Sequence, residues 1–101
     1  MAIKRLSLQG QGAIFVDPAV AIVIPTTAAS TVADVEITVA DAAVGDAVIV
    51  NLIAALMEVD LVVAGAYVSE AGKIKVRLFN KDSGNAFTGG TSTCSVVLIR
   101  Q

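Results

Sequence analysis

Paired carboxylates are the groups in this sequence with the widest range of chemistry. Asp41 and Asp46 flank one predicted turn, and Glu58 and Asp60 lie close together in another segment. Such pairs can hold Ca²⁺ at a loop, or can act as acid and base when the environment raises one pKa. Aspartate at a turn more often bonds to backbone amides, so we expect solvated turn residues here. The aspartates at predicted turns are Asp17, Asp41, Asp46 and Asp82.

Other catalytic groups are scarce. The chain has no His, which removes the commonest general base and the imidazole metal ligands. Its single Cys94 can form neither an internal disulfide nor a thiolate zinc site, and its apolar surroundings predict a small buried hydrophobe. The glycines at 84, 89 and 90 lack the Lys of a phosphate-binding loop. We therefore expect a protein that is not an enzyme and that holds no metal or cofactor.

A basic stripe is the second feature with possible chemistry. Lys73, Lys75 and Arg77 alternate with apolar residues, which predicts a strand with one buried face. The three cations could dock onto an acidic partner, form a solvated sheet face, or protect an exposed sheet edge against aggregation. A net charge of −2 and the small number of aromatic residues argue against binding to nucleic acid.

Strands must position all of these groups. In VEITVADAAVGDAVIV, residues 35–50, apolar and polar residues alternate up to a turn built on Gly45 and Asp46. The continuous apolar run at 20–24 fits a strand that is buried on both faces, and Asp17-Pro18 before it predicts a turn. Further strands are predicted at 13–16, 47–51, 61–69, 73–80 and 93–100.

The connections between these strands carry their own signals. Gly65 inside a strand predicts a bulge, and Gly72 predicts a tight hairpin turn with positive φ. Residues 81–90 form the longest polar, Gly-rich stretch and are expected to be an exposed loop. Residues 52–60 fit either one to two turns of helix or an irregular apolar loop.

These patterns predict one all-β domain. Its architecture is expected to be a β-sandwich or jelly roll of about 7–8 short antiparallel strands. We assign residues 1–12 to an N-terminal arm and residues 13–101 to the sandwich. No apolar run approaches the length needed to cross a bilayer, so we expect no membrane association.

The composition predicts an interface. The chain is 55% hydrophobic and 16% charged, more apolar than one small core needs, although alanine accounts for part of the excess. We therefore expect a homo-oligomer in which leftover apolar side chains meet. The candidates for this contact are Ile3, Leu6, Leu8, Leu52, Ile53, Leu56 and Met57.

Three segments together resemble a group of small tailed-bacteriophage virion proteins. They are VEITVADAAVGDAVIVN, LVVAGAYVSEAGKIKVRLFN and the final VVLIRQ, which match the pattern "ITV.GA.VGD.V.V", then "A.VS..G.V.VRL.N", then "V.VIR". The chain departs from this pattern at Asp41, where Gly is usual, and in LIAALMEVDL, where many relatives have a Pro-containing loop. The matching residues are Ile37, Thr38, Val39, Gly45, Asp46, Val48, Val50, Val68, Ser69, Val76, Arg77, Leu78, Asn80 and Arg100.

The resemblance implies a structural role. It implies a β-sandwich module on the virion, either a capsid decoration (cement) protein or a short head or tail fibre module. A decoration protein would bind the major capsid protein of an assembled phage head, commonly as a homotrimer. Such a protein would be made in the host cytoplasm and located on the virion surface. The alternative is a host-attachment fibre tip or a carbohydrate-binding sandwich, with a site in the loop 81–90 at Asn85, Phe87 and Thr88.

Overall fold

The computed structural model describes residues 4–8, 12–53, 56 and 60–100, with the backbone alone for 4–8 and 12. The described part of the chain is all-β. Its strands are β1 Lys4–Leu8, β2 Gly12–Ile24, β3 Val32–Thr38, β4 Ala47–Leu52, β5 Leu61–Glu70, β6 Lys73–Asn80 and β7 Gly90–Arg100. Within these residues, no helix has the length and apolar character needed to cross a bilayer.

The strands form two antiparallel sheets. In the described residues, one sheet has four strands in the order β1-β2-β7-β4, and the other has three in the order β3-β6-β5. The chain passes from one sheet to the other between β2 and β3, β3 and β4, β4 and β5, and β6 and β7. The segment 4–8, which the sequence assigned to an arm, pairs with β2 as an edge strand.

Side chains from both sheets share one hydrophobic core. The predicted alternation is clearest in β6, where Ile74, Val76 and Leu78 are fully buried between outward cations. Ile22 and Leu98 close the same cluster from the four-stranded sheet. Burial of alternate residues on both sheets therefore leaves each sheet with one outward face.

Two predictions about β2 were wrong. Residues 13–16 and 20–24 belong to a single strand, because Asp17-Pro18 forms an irregularity in the pairing with β7 and does not reverse the chain. A bulge tolerates Pro because the extra residues there need not donate to the ladder. The run 20–24 is not buried on both faces either, since Val23 is 63% exposed while Val20 and Ile22 are buried.

The turns predicted at Gly45 and Gly72 are confirmed. Gly72 has φ 79° in the hairpin between β5 and β6, and Gly45 has φ 98° before β4. The pairing between β5 and β6 shifts at Gly65, as expected for a bulge. In the ambiguous segment 52–60, the amide of Leu56 donates to the carbonyl of Ile53 at 3.0 Å, while 54, 55 and 57–59 lie outside the described residues.

Candidate functional site

The outward face of the three-stranded sheet carries the basic stripe. We call it the charged face; it comprises Asp34, Glu36 and Thr38 of β3 and Lys73, Lys75 and Arg77 of β6.

Most of its charges are paired within the face. Arg77 holds Asp34 through two hydrogen bonds, Nε to Oδ1 at 2.9 Å and Nη2 to Oδ2 at 3.2 Å, and Lys73 lies 3.7 Å from Glu36. The hydrogen bond from Arg77 holds the pKa of Asp34 below its ordinary value. Because β6 is the middle strand, the stripe does not protect a sheet edge, and that alternative was wrong.

A shallow hollow interrupts the charged face. It has a volume of about 150 Å³ and lies over the backbone of 64–66, between the ring of Tyr67 and the side chains of Asp34, Lys75 and Arg77. Gly65 leaves this space open, since a Cβ there would meet no atom within 4 Å. Tyr67 is 58% exposed. The hollow therefore offers an aromatic ring, two cations and a carboxylate to solvent.

One part of the outward face of the four-stranded sheet is apolar. The strand register aligns two rows across β2, β7 and β4: Ile14 with Ile99 and Ala47, and Val16 with Val97 and Ile49. Between them in sequence, Phe15 and Leu98 are buried in the core and Val48 packs against it, so these rows point away from the core. We call Ile14, Val16, Ile49, Val97 and Ile99 the apolar face.

The two rows of the apolar face differ in exposure and continue in register to the edge strand. Ile49 is 47% exposed, and the other four members are half-buried. On β1, Leu6 pairs with Ile14 and Lys4 pairs with Val16, so both rows continue into that strand at the backbone. Among the five residues of the face, none carries a charge that would keep this surface hydrated.

The loop between β6 and β7 borders a cavity. The cavity measures about 510 Å³ and is open to solvent. It is lined by Asp60, Asn80, Asp82, Asn85, Ala86, Phe87 and Thr88. The structure thus brings together the loop residues Asn85, Phe87 and Thr88 that the sequence singled out for a carbohydrate site.

The polar groups of this cavity are largely engaged by the protein itself. The buried amide of Asn80 donates to the carbonyls of Thr27 and Asn85 at 3.1 and 3.0 Å. Asp82 accepts hydrogen bonds from the amides of Gly84 and Asn85 at 2.9 and 3.1 Å, and these bonds lower its pKa. The loop is therefore held in place by groups that a sugar would otherwise need.

An ion pair that the sequence did not predict closes the loop between β3 and β4. Arg100 donates to Asp46 through Nε at 2.9 Å and Nη2 at 2.8 Å, and also to the carbonyl of Asp41. Its guanidinium lies 4.6 Å from the ring centroid of Phe15. Asp46 also accepts from the amide of Ala43 at 3.0 Å. These hydrogen bonds lower the pKa of Asp46, and the one from Arg100 has the largest effect. The side chain of Asp46 is 3% exposed.

The carboxylates of the described residues form no cluster that could hold a metal ion. No three metal-ligating side chains lie together there, and Glu58 is outside the described part. Asp17, Asp46 and Asp82 each accept a hydrogen bond from a backbone amide. The prediction of solvated turn residues was nevertheless wrong for two of them, because Asp17 is buried within β2 and the side chain of Asp46 is almost fully buried. Oδ2 of the buried Asp17 has no hydrogen-bond partner among the described residues. Burial raises the pKa of the Cys94 thiol to about 11, which disfavours the reactive thiolate.

The predicted interface residues do not form one surface in the described part. Leu52 lies in the core at 7% exposure, Leu56 packs against that core, and Ile53 is 43% exposed. Ile3 and Met57 lie outside the described residues, and only the backbone is described for Leu6 and Leu8. The apolar face was missed, although its signal is visible as continuous apolar runs at 13–16, 47–50 and 96–99.

Comparison with known proteins gives no relative. No model of a protein family matches the chain, and searches of curated proteins and of solved structures find no significant match.

Proposed function

We propose that this protein is a structural virion protein, a capsid decoration (cement) protein that binds an assembled phage head as a homo-oligomer. The observation that carries the proposal is the apolar face, which spans three paired strands of a small domain and carries no charged side chain. An uncharged aliphatic face of this kind marks a protein contact. The proposed role needs no catalytic residue and no cofactor.

The proposed contact on the apolar face is a second copy of the chain. The face consists of aliphatic side chains without hydrogen-bonding groups, which is typical of the centre of homo-oligomer interfaces. Burial of a few hundred Å² of such surface contributes several kcal/mol per subunit, at about 25 cal/mol per Å², before the costs of association. A homotrimer is the assembly that the resemblance to phage virion proteins implies.

The strand order supports a jelly roll as the finer architecture. In a jelly roll of about eight strands, the first strand pairs with the last, and the second with the last but one. Leaving β1 aside, β2 pairs with β7 and β3 pairs with β6 in the same nested way. We propose a reduced jelly-roll sandwich in which the two-residue turn between β5 and β6 replaces the innermost hairpin.

The proposed partner of the oligomer is the major capsid protein, and the proposed location is the virion surface after synthesis in the host cytoplasm. The charged face leaves the oligomer with a hydrated surface. The alternative, a fibre tip or carbohydrate-binding module that uses the loop 81–90, has less support. Asn80 and Asp82 already serve the loop itself.

The test is the solution mass measured by light scattering across a dilution series. We expect a trimer of the 10.3 kDa chain, and a monomer for Ile49→Asp, because one buried carboxylate at each contact opposes assembly. The matched control is Thr38→Asp on the charged face, which should remain trimeric. An unchanged mass for Ile49→Asp would remove the apolar face from the contact.

Co-sedimentation with assembled capsids tests the decoration role separately. The wild-type protein and Thr38→Asp should sediment with capsids, whereas Ile49→Asp should stay in the supernatant. A wild-type trimer that fails to sediment with capsids bearing no decoration protein would contradict the decoration role while leaving the oligomer intact.

A further inference from the structure

The hollow on the charged face has the shape and the chemistry of a small binding site. Its floor is the backbone around Gly65, one wall is the half-exposed ring of Tyr67, and the other wall is the Asp34–Arg77 pair. Its volume of about 150 Å³ is comparable to that of one six-membered sugar ring. Its position on a sheet, and not on a loop, keeps the walls in fixed register.

Each wall offers a contact that a pyranose uses. The face of an exposed aromatic ring packs against the apolar C–H face of a sugar. The Asp34–Arg77 pair presents carboxylate acceptors beside guanidinium donors, which suits two neighbouring hydroxyl groups. Only Nε and Nη2 of Arg77 take part in the bonds to Asp34, so Nη1 keeps donors for a ligand.

The charge of the hollow selects among sugars. Arg77 is neutralised by Asp34 and Lys73 by Glu36, whereas Lys75 has no ion-pair partner among the described residues. A ligand that carries one negative charge would therefore be favoured next to Lys75. A nucleotide fits less well, because the hollow has a single aromatic ring and the chain has a net charge of −2.

We propose that the hollow at Gly65, Tyr67, Lys75 and Arg77 binds one acidic pyranose unit of a polysaccharide. Tyr67 packs against the ring, the Asp34–Arg77 pair bonds to its hydroxyls, and Lys75 attracts its carboxylate. The site lies on the sheet opposite to the apolar face, so it remains open in the proposed oligomer and does not depend on it.

The test is a titration of the full-length protein with D-glucuronic acid, followed by the NMR amide shifts of 64–67 and 75. We expect saturable binding with a dissociation constant in the millimolar range, about 4 kcal/mol, as befits a shallow site for one sugar. D-glucose, which lacks the carboxylate, should bind more weakly. Lys75→Gln should lower the affinity for D-glucuronic acid to about that for D-glucose.

Gly65→Val tests the hollow most directly, because it fills the proposed binding space. The added side chain meets no protein atom within 4 Å of its Cβ, so the strand keeps its structure while the hollow is filled. The matched control is Gly90→Val, where a Cβ also meets nothing within 4 Å but lies at the start of β7. Gly65→Val should abolish the shifts and Gly90→Val should retain them.

Two results would overturn the site. Shifts that persist unchanged in Gly65→Val would place any sugar contact elsewhere. The site would also fail if poly-L-glutamate, at an equal concentration of charge, shifted the same amides as D-glucuronic acid and if Tyr67→Ala left the shifts unchanged. That pair of results would show an unspecific response to anions.

Discussion

The outward side of β6 carries Lys73, Lys75 and Arg77, whereas the outward side of β7 carries Val97 and Ile99. Both strands bury an equivalent row on their inward side, with Ile74 and Leu78 in one and Val96 and Leu98 in the other. The two sheets therefore contribute alike to the core and differ in what they present outward. Both sheets supply the buried side chains that folding needs, but only the charged face presents charged groups to water.

The charged face stays hydrated because its ion pairs are exposed. The side chains of Arg77 and Asp34 are about half exposed, and pairs of this kind contribute little to stability. They instead keep a flat sheet surface from associating without specificity. The apolar face has no such protection, which is why we place the contact between copies there.

The largest expected effect is a difference in the free energy of unfolding between two substitutions, one in the core and one on the apolar face. Ile74→Ala removes a fully buried side chain and should lower the free energy of unfolding by about 3–4 kcal/mol. Ile49→Ala removes the same atoms from the apolar face and should cost the monomer less than about 1 kcal/mol. Urea unfolding at a protein concentration low enough to give monomer measures both.

The same Ile49→Ala variant should weaken assembly. Loss of one apolar contact per subunit should raise the concentration at which the oligomer dissociates by about tenfold. If Ile49→Ala destabilised the monomer as much as Ile74→Ala, its side chain would belong to the core and the distinction between the two sides of the sheet would fail.

The charged face was predictable from sequence, and the apolar face was not. Alternation of Lys73, Lys75 and Arg77 with apolar residues identifies both the strand and its buried side. In the runs 13–16 and 47–50, the residues on both sides of the strand are apolar, so the period of two carries no information on which side meets the core. Sequence therefore reveals a strand there and leaves its two faces indistinguishable.

Contacts between distant segments were also beyond the sequence. Arg100 and Asp46 lie 54 residues apart, and only the pairing of β4 with β7 brings them together. The turn role of Asp46 was predictable because its bond to the amide of Ala43 is local. The bulge at Asp17-Pro18 was misinterpreted because the same residues also favour a chain reversal.

A smaller effect separates the two Arg–Asp pairs. Asp46→Ala removes the carboxylate that accepts from Arg100 and from the amide of Ala43 in a nearly enclosed position, and leaves Arg100 only its bond to the carbonyl of Asp41. We expect a loss of about 2 kcal/mol, which lowers Tm by about 10 °C for a chain of this size. Asp34→Ala, which breaks the exposed pair with Arg77, should leave Tm unchanged within the error of differential scanning calorimetry. Equal shifts in both variants would contradict the role assigned to burial.

The smallest effect is a dependence of stability on pH. The hydrogen bond from Arg100 lowers the pKa of Asp46 in the folded protein, so the folded state holds its proton less tightly than the unfolded chain. The resulting stabilisation is fully present above about pH 4, the ordinary range of aspartate, and is lost as the pH falls through the folded pKa. Tm should therefore be nearly constant from about pH 5 to 8 and fall below about pH 4.

Asp46→Ala should show a shallower fall than Asp34→Ala, because the enclosed pair is less screened by solvent than the exposed one. A steeper or equal slope for Asp46→Ala would mean that the acid sensitivity arises elsewhere, and that the enclosed pair and the charged face respond to protons alike.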